Sequence, residues 1–174
     1  MTILIITCAI IIIYLIIIRV KKQTRFNQTL CWLHEEVEFN CTKAISKLSI
    51  EQRYSIYNIL NIFGEFTIDD HVNSNKVRQL LFTWLNALKI TPQESLNYFK
   101  SVNESGTILK LKEIEDEFLM DMVFFSAYAF TQMAYGYING ISCEAMSKKF
   151  FIDDFKKLGF DNNKFAKAQY LFSH

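Results

Sequence analysis

The sequence predicts an all-α protein: an N-terminal transmembrane helix followed by a globular domain of six to seven helices with two similar halves. Three observations carry that expectation. The 174 residues include one proline and five glycines, too few for a turn-rich β chain. Apolar residues recur three and four apart over long stretches, with no useful strand alternation. The chain also opens on an uncharged run, Thr2 to Ile18, that holds ten isoleucines.

That opening run would measure about 27 Å as a helix at ~1.5 Å per residue, close to a hydrocarbon core of roughly 30 Å. Each central Ile or Leu favours insertion by about 0.3–0.6 kcal/mol. No basic segment precedes the run and no small-residue cleavage pattern follows it, which predicts an uncleaved anchor rather than a signal peptide. Cys8 lies within the run, where it reads as a small hydrophobe. Arg19, Lys21, Lys22 and Arg25 come next. By the positive-inside rule they place the N-terminus outside and the rest of the chain in the cytoplasm. The same four side chains are candidates for contact with lipid head groups.

The expected organisation is an anchor over 1–20, a basic flank and helical stalk over 21–47, and an all-α domain over 48–174. In the stalk, Phe26, Leu30, Leu33, Val37, Ala44 and Leu48 share one face. Trp32 lies off that face, at a height that suits a ring near the membrane. Ser49-Ile50-Glu51-Gln52 reads as a capping box opening a helix to Phe63, followed by a polar break over 64–73. From Ser74, residues Val77, Leu80, Leu81, Trp84, Leu85 and Leu88 form an inward stripe. Thr91-Pro92-Gln93-Glu94 starts the next helix, carrying Leu96 and Phe99 and ending before a loop at Ser105-Gly106.

A long helix is then expected from Thr107 or Lys112 to Tyr137, apolar on nearly all sides from Phe118 to Tyr135. Such a helix is buried centrally or buries one side against a partner. Tyr128, Tyr135 and Tyr137 are the candidate partner surface. Asn139-Gly140 turns the chain into a helix capped by Ser142. Gly159 stops that helix, and Asp161 opens the last one, with Phe165, Ala168 and Phe172 inward.

Two stretches match at constant offset: Leu85 to Pro92 and Phe155 to Asn162. Ile90 is placed to fold back on Leu85, as Phe160 is on Phe155. Upstream, Phe63-Gly64-Glu65-Phe66-Thr67-Ile68-Asp69-Asp70 matches Asn139-Gly140-Ile141-Ser142-Cys143-Glu144, allowing a small insertion. This double pattern of helix, G-x-apolar-Ser/Thr loop and helix resembles the TerB-like family, named for tellurite-resistance proteins, over roughly Leu48 to Phe172. Gly64, Thr67 and Asp70 match the first family loop; Gly140, Ser142 and Glu144 match the second. The family's loop aspartate is replaced by Phe63 and by Asn139. An anchor ahead of such a domain is also similar to membrane-anchored DnaJ-like co-chaperones. The single proline follows Thr91, so the His-Pro-Asp of a J-domain is not in this sequence.

The remaining chemistry is sparse. A net charge of +1 gives no electrostatic case for nucleic acid. Without the four flanking cations the rest of the chain carries −3. Cys31, Cys41 and Cys143 form no C-x-x-C pair and read as reduced thiols. His34 is expected on a solvated stalk face, four residues before Glu38. Asp69, Asp70 and Glu144 are weak candidates for metal, Asp69-Asp70-His71 being the best local ligand cluster. The acidic run Glu113, Glu115, Asp116 and Glu117 suits a helix N-terminus without further function. No serine, cysteine or lysine sits in a nucleophile motif, and no cofactor is expected.

The functional expectation is a non-enzymatic, membrane-tethered adaptor. It would contact lipid through its anchor and an unidentified protein through its domain, with a homo-oligomer as an open possibility. The alternatives are a metal-binding stress-response module and an immunity-type protein that neutralises a toxin.

Overall fold

The computed structural model describes residues 2–68, 74–135, 156 and 162–173. Every regular element among them is helical. The expected helix capped by Ser142, the turn at Asn139-Gly140 and the stop at Gly159 lie outside the described residues, so the second copy of the internal match does too.

Helix α1 runs unbroken from Thr2–Glu35. It continues into a π-helical turn, Glu36–Asn40, and a short helix α2, Thr42–Ile45. The expected stalk is therefore continuous with the opening run but not one α-helix to Lys47. Leu33, Val37 and Cys41 are all fully buried, at a spacing of four. In an α-helix that spacing drifts around the axis by about 40° per step. The wider turn, closed by Cys41 N–H on the Glu36 carbonyl at 2.9 Å, keeps Val37 and Cys41 on the buried side.

Helix α3 spans Ile50–Ile68 and opens on the expected box. Ser49 N–H donates to Gln52 Oε1 (3.0 Å) and Gln52 N–H to Ser49 Oγ (3.2 Å). The helix does not stop at Phe63. Gly64 lies inside it and faces α4, Ser74–Leu88. A Cβ there would stand 3.1 Å from Leu81 Cδ1 and 3.2 Å from Val77 Cγ1. The glycine thus serves a close helix–helix approach, and packing outweighs its cost of about 1 kcal/mol in a helix.

Of the expected stripe of α4, Val77, Leu80, Trp84 and Leu88 are fully buried and Leu81 nearly so, while Leu85 is only partly buried. Its end is a Schellman turn. Lys89 takes φ 54°, and Ile90 N–H reaches the Leu85 carbonyl at 3.4 Å. Ile90 is buried behind it.

Helix α5, Pro92–Lys112, starts on the complete Thr91/Glu94 capping box. It runs straight through Ser105-Gly106, where a loop was expected. Ser95 is buried near its start, and Thr107 and Leu111 are buried near its end. Leu96 is 45% exposed. Helix α6, Glu117–Tyr135, begins later than expected because Glu113 to Asp116 break the chain. Asp116 Oδ1 accepts from Leu119 N–H at 2.9 Å and caps it. Helix α7, Asn162–Ser173, buries Phe165, Ala168 and Phe172 as expected.

Pairwise contacts set the directions. Lys76 on α4 bonds Asn27, and Thr83 meets His34, so α4 runs parallel to α1. Arg53 reaches the Leu88 carbonyl while Gly64 meets Val77 and Leu81, so α3 runs against α4. Asn58 and Ser95 exchange two hydrogen bonds, and Glu51 pairs with Lys110, so α5 runs against α3. Asp121 meets Lys164 and Tyr128 meets Phe172, so α6 and α7 run parallel; with Phe172 at Phe26 and Phe125 at Trp32, both run against α1. The last turn of α7 therefore lies at the end of the body from which α1 emerges, and the end of α5 lies at the opposite end.

Candidate functional site

Above Phe26, α1 leaves the body. Ile10 through Ile17 are eight consecutive residues, seven of them aliphatic, each 47–63% exposed. Two turns of consecutive exposed positions cover the whole circumference. Among the described residues no face of this rod packs on the body, whereas the same helix from Thr29 onward buries Thr29, Leu30 and Leu33. Among the described residues no helix is long and apolar enough to cross a membrane. Counted from Thr7, where described side chains begin, the uncharged stretch reaches only Ile18 before the cations.

Arg19, Lys21, Lys22 and Arg25 are all exposed, and none is in an ion pair among the described residues. No acidic residue precedes Glu35, so nothing on this stretch neutralises them. The site is thus a two-part surface: an apolar cylinder, then a belt of free cations, then the helix entering a packed core.

Other expected residues divide. Asp69, Asp70 and Glu144 lie outside the described residues, as do His71, Tyr137 and Cys143. Among the described residues no three His, Cys, Asp or Glu side chains gather into a metal-holding group. Tyr135 ends α6, its side chain outside the described set. Tyr128 corrects the partner-surface expectation, being 2% exposed. Its ring stands edge-on to Phe165 at 5.4 Å and lies 5.5 Å from Phe172. It packs α6 onto α7, and core aromatics bury too much area to be spared for a surface.

The Trp32 ring, expected near the membrane, packs toward Phe125 at 6.3 Å. His34 is not on a solvated face. Its Nδ1 lies 2.7 Å from Thr83 Oγ1, whose hydroxyl donates to the Gln79 carbonyl at 3.1 Å. Burial pulls the imidazole below its ordinary value, and Glu38 offsets only part of that. Cys31 is exposed. Cys41 is buried, and burial first, then Glu36 and Asp116, push its thiol up to about 12.

Two features had no clear sequence signal. A half-open cleft of about 210 Å³ lies between the π turn and α4, lined by Glu38, Thr42, Thr83, Asn86, Ala87 and Lys89. It holds a carboxylate and an ammonium but no nucleophile beside a base. Asp121 on α6 receives Lys164 Nζ at 2.7 Å and Lys167 Nζ at 2.6 Å, pinning α7. Only the i,i+3 spacing of the two lysines hinted at a shared partner.

Comparison with protein-family models, with curated proteins and with solved structures returns no match. The functional reading therefore rests on the geometry.

Proposed function

We propose that the chain is a membrane-tethered, non-enzymatic protein-interaction domain. Residues 1–20 span the bilayer with the N-terminus outside, and the helical body stands in the cytoplasm. The observation that carries this reading is the rod from Ile10 to Ile17, apolar and exposed around its full circumference. In water, exposed apolar area costs about 25 cal/mol per Å². Lipid removes that cost, and a helix is the form in which lipid accepts a backbone. The sequence supplies the missing length, because the uncharged run begins at Thr2. The cations at its C-terminal end sit where the positive-inside rule wants them.

Because α1 passes into the core without a flexible joint, the anchor also fixes the stance of the body. A tether that merely localised the domain would work equally well with a loose linker. Rigid continuity suits presentation of one surface at a defined height to a protein partner.

The chain's own thiols test the topology in a C143S background. A membrane-impermeant maleimide is expected to label Cys31 in inverted vesicles and not in right-side-out ones. Cys8 stays protected by lipid and Cys41 by burial in both. Labelling of Cys31 from outside, or recovery of the chain in the soluble fraction, overturns the reading. Cross-linking of the full chain in its membrane tests the adaptor part: recovery of lipid and self-contacts only would refute it.

A further inference from the structure

The belt of cations is lopsided. At about 100° per residue, Arg19, Lys21, Lys22 and Arg25 fall within an arc of roughly 160°. Gln23, Thr24, Asn27 and Gln28 occupy the remainder. The body below is lopsided in the same sense. Phe26 and Thr29 continue the cationic arc, and both meet the last turn of α7. The Phe26 ring lies 5.4 Å from Phe172, and Thr29 Oγ1 donates to the Leu171 carbonyl at 3.0 Å. The uncharged arc lies above α4 instead, through Asn27 with Lys76.

The heights nearly close. From Ile18 to Phe26 the stem rises about 12 Å. The head-group layer on one side of a bilayer is about 5–8 Å thick. An upright helix leaves the end of the body a few ångströms short of the head groups. Spanning helices tilt by about 20° on average, and attraction of the cations to phosphates tips this one toward its charged arc. That tilt brings the side of the body occupied by α7 up toward the head groups. Its last turn carries Tyr170, 64% exposed, an amphipathic ring of the kind enriched at membrane interfaces. Helix α7 has two lysines and no acidic residue to oppose the approach.

We infer that the last turn of α7, Tyr170 outermost, docks on anionic phospholipid head groups on the side where Arg19, Lys21, Lys22 and Arg25 project. This rests on the anchoring reading above and adds to it a lipid class and an orientation. The body leans on the membrane through one end helix and leaves α3–α5 turned toward the cytoplasm.

The test uses the full chain in a C31S, C143S background. A polarity-sensitive fluorophore is attached at Y170C or, as a control at the far end of α5, at K112C. The chain is reconstituted in vesicles of phosphatidylcholine alone or mixed with phosphatidylglycerol. The label at 170 is expected to shift to the blue only with phosphatidylglycerol, and the label at 112 in neither. Glutamine at one collar position, as in K22Q, lowers the ratio of docked to free label about fivefold, or about 1 kcal/mol per cation. About 1 M salt, with a screening length near 3 Å, abolishes the shift. An aqueous signal at 170 in both lipids, with the chain still floating with vesicles, overturns the docking and leaves the anchor standing. Equal shifts in both lipids overturn the anionic preference. Failure to float with either vesicle overturns the anchoring reading itself.

Discussion

From Ile10 to Ile17 helix α1 is apolar on every side, and from Leu119 to Met133 helix α6 is nearly so. In α1 each of those residues is about half exposed, whereas in α6 most are under 3% exposed. The difference lies in what meets the few polar groups. On α6, Ser126 Oγ donates to the Met122 carbonyl at 2.8 Å and accepts from Trp84 Nε1 at 2.9 Å. Asp121 takes two lysines from α7. These are cross-links that only a protein surround can supply. From Thr7 to Ile18 the exposed part of α1 has side chains of hydrocarbon, one threonine, one thiol and one tyrosine, and the charges follow at one end. A helix that is apolar all round belongs in a non-aqueous phase, and its polar exceptions say whether that phase is protein or lipid.

The sharpest way to break this comparison is to damage both helices. Phe124→Ala removes a fully buried ring that touches Phe125, Tyr128 and Phe165. A loss of about 3–5 kcal/mol is expected in denaturant unfolding in mild detergent, a large part of a typical domain's 5–15 kcal/mol. The counterpart is Ile12→Arg with Ile16→Arg. Each should cost insertion about 2.5–3.5 kcal/mol and send the chain to the soluble fraction. The unfolding midpoint of the body should stay put. A drop in that midpoint comparable to that of Phe124→Ala would mean that the rod is part of the core.

Which parts of this were readable beforehand follows from the range of the forces involved. Caps are local, so Ser49 with Gln52 and Thr91 with Glu94 stand as their spacing implies. The stripe Val77, Leu80, Leu81, Trp84 and Leu88 is periodic and was equally plain. Gly64 and Ser105-Gly106 misled because a glycine weakens a helix locally. Only the approach of Leu81 to Gly64, a contact distant in sequence, shows why a helix persists there. Tyr128 misled for the opposite reason: on a uniformly apolar helix, periodicity cannot tell a core face from an open one. Of the candidate site, the cations and the rod were visible as a composition boundary. Their alignment with α7 depends on Phe26 meeting Phe172, which no local pattern encodes.

A smaller effect sharpens the contrast through pH. Asp121 is partly buried, which by itself would raise its carboxyl. The hydrogen bonds and charges of Lys164 and Lys167 prevail and hold it below the ordinary carboxylate value. A carboxyl lowered in the folded state stabilises above its unfolded value, about 3.9. That contribution is lost as the pH falls from there through the lowered folded value. Asp121→Asn should cost about 1–2 kcal/mol near neutrality, since half the arrangement is exposed. It should also flatten the acid limb of the unfolding curve. The rod has neither carboxylate nor histidine between Thr7 and Ile18, so vesicle association should be level over the same pH range. A parallel acid transition in both measurements would show that α7 and the rod are coupled.

The smallest effect concerns a joint within the body. Lys89 holds φ 54° where the end of α4 turns back through Ile90. A side chain in that left-handed region costs roughly 1–2 kcal/mol. Glycine removes the strain but adds freedom to the unfolded chain. Lys89→Gly should therefore stabilise by about 0.5–1 kcal/mol, raising the melting temperature by about 1–4 °C. Lys89→Ala keeps the Cβ and should gain nothing, which separates backbone relief from loss of the ammonium at the rim of the cleft. If alanine stabilised as much as glycine, the charge beside α4 would be the cause and the turn would be unstrained. Neither change should alter vesicle association, because α4 ends at the face of the body turned away from the rod.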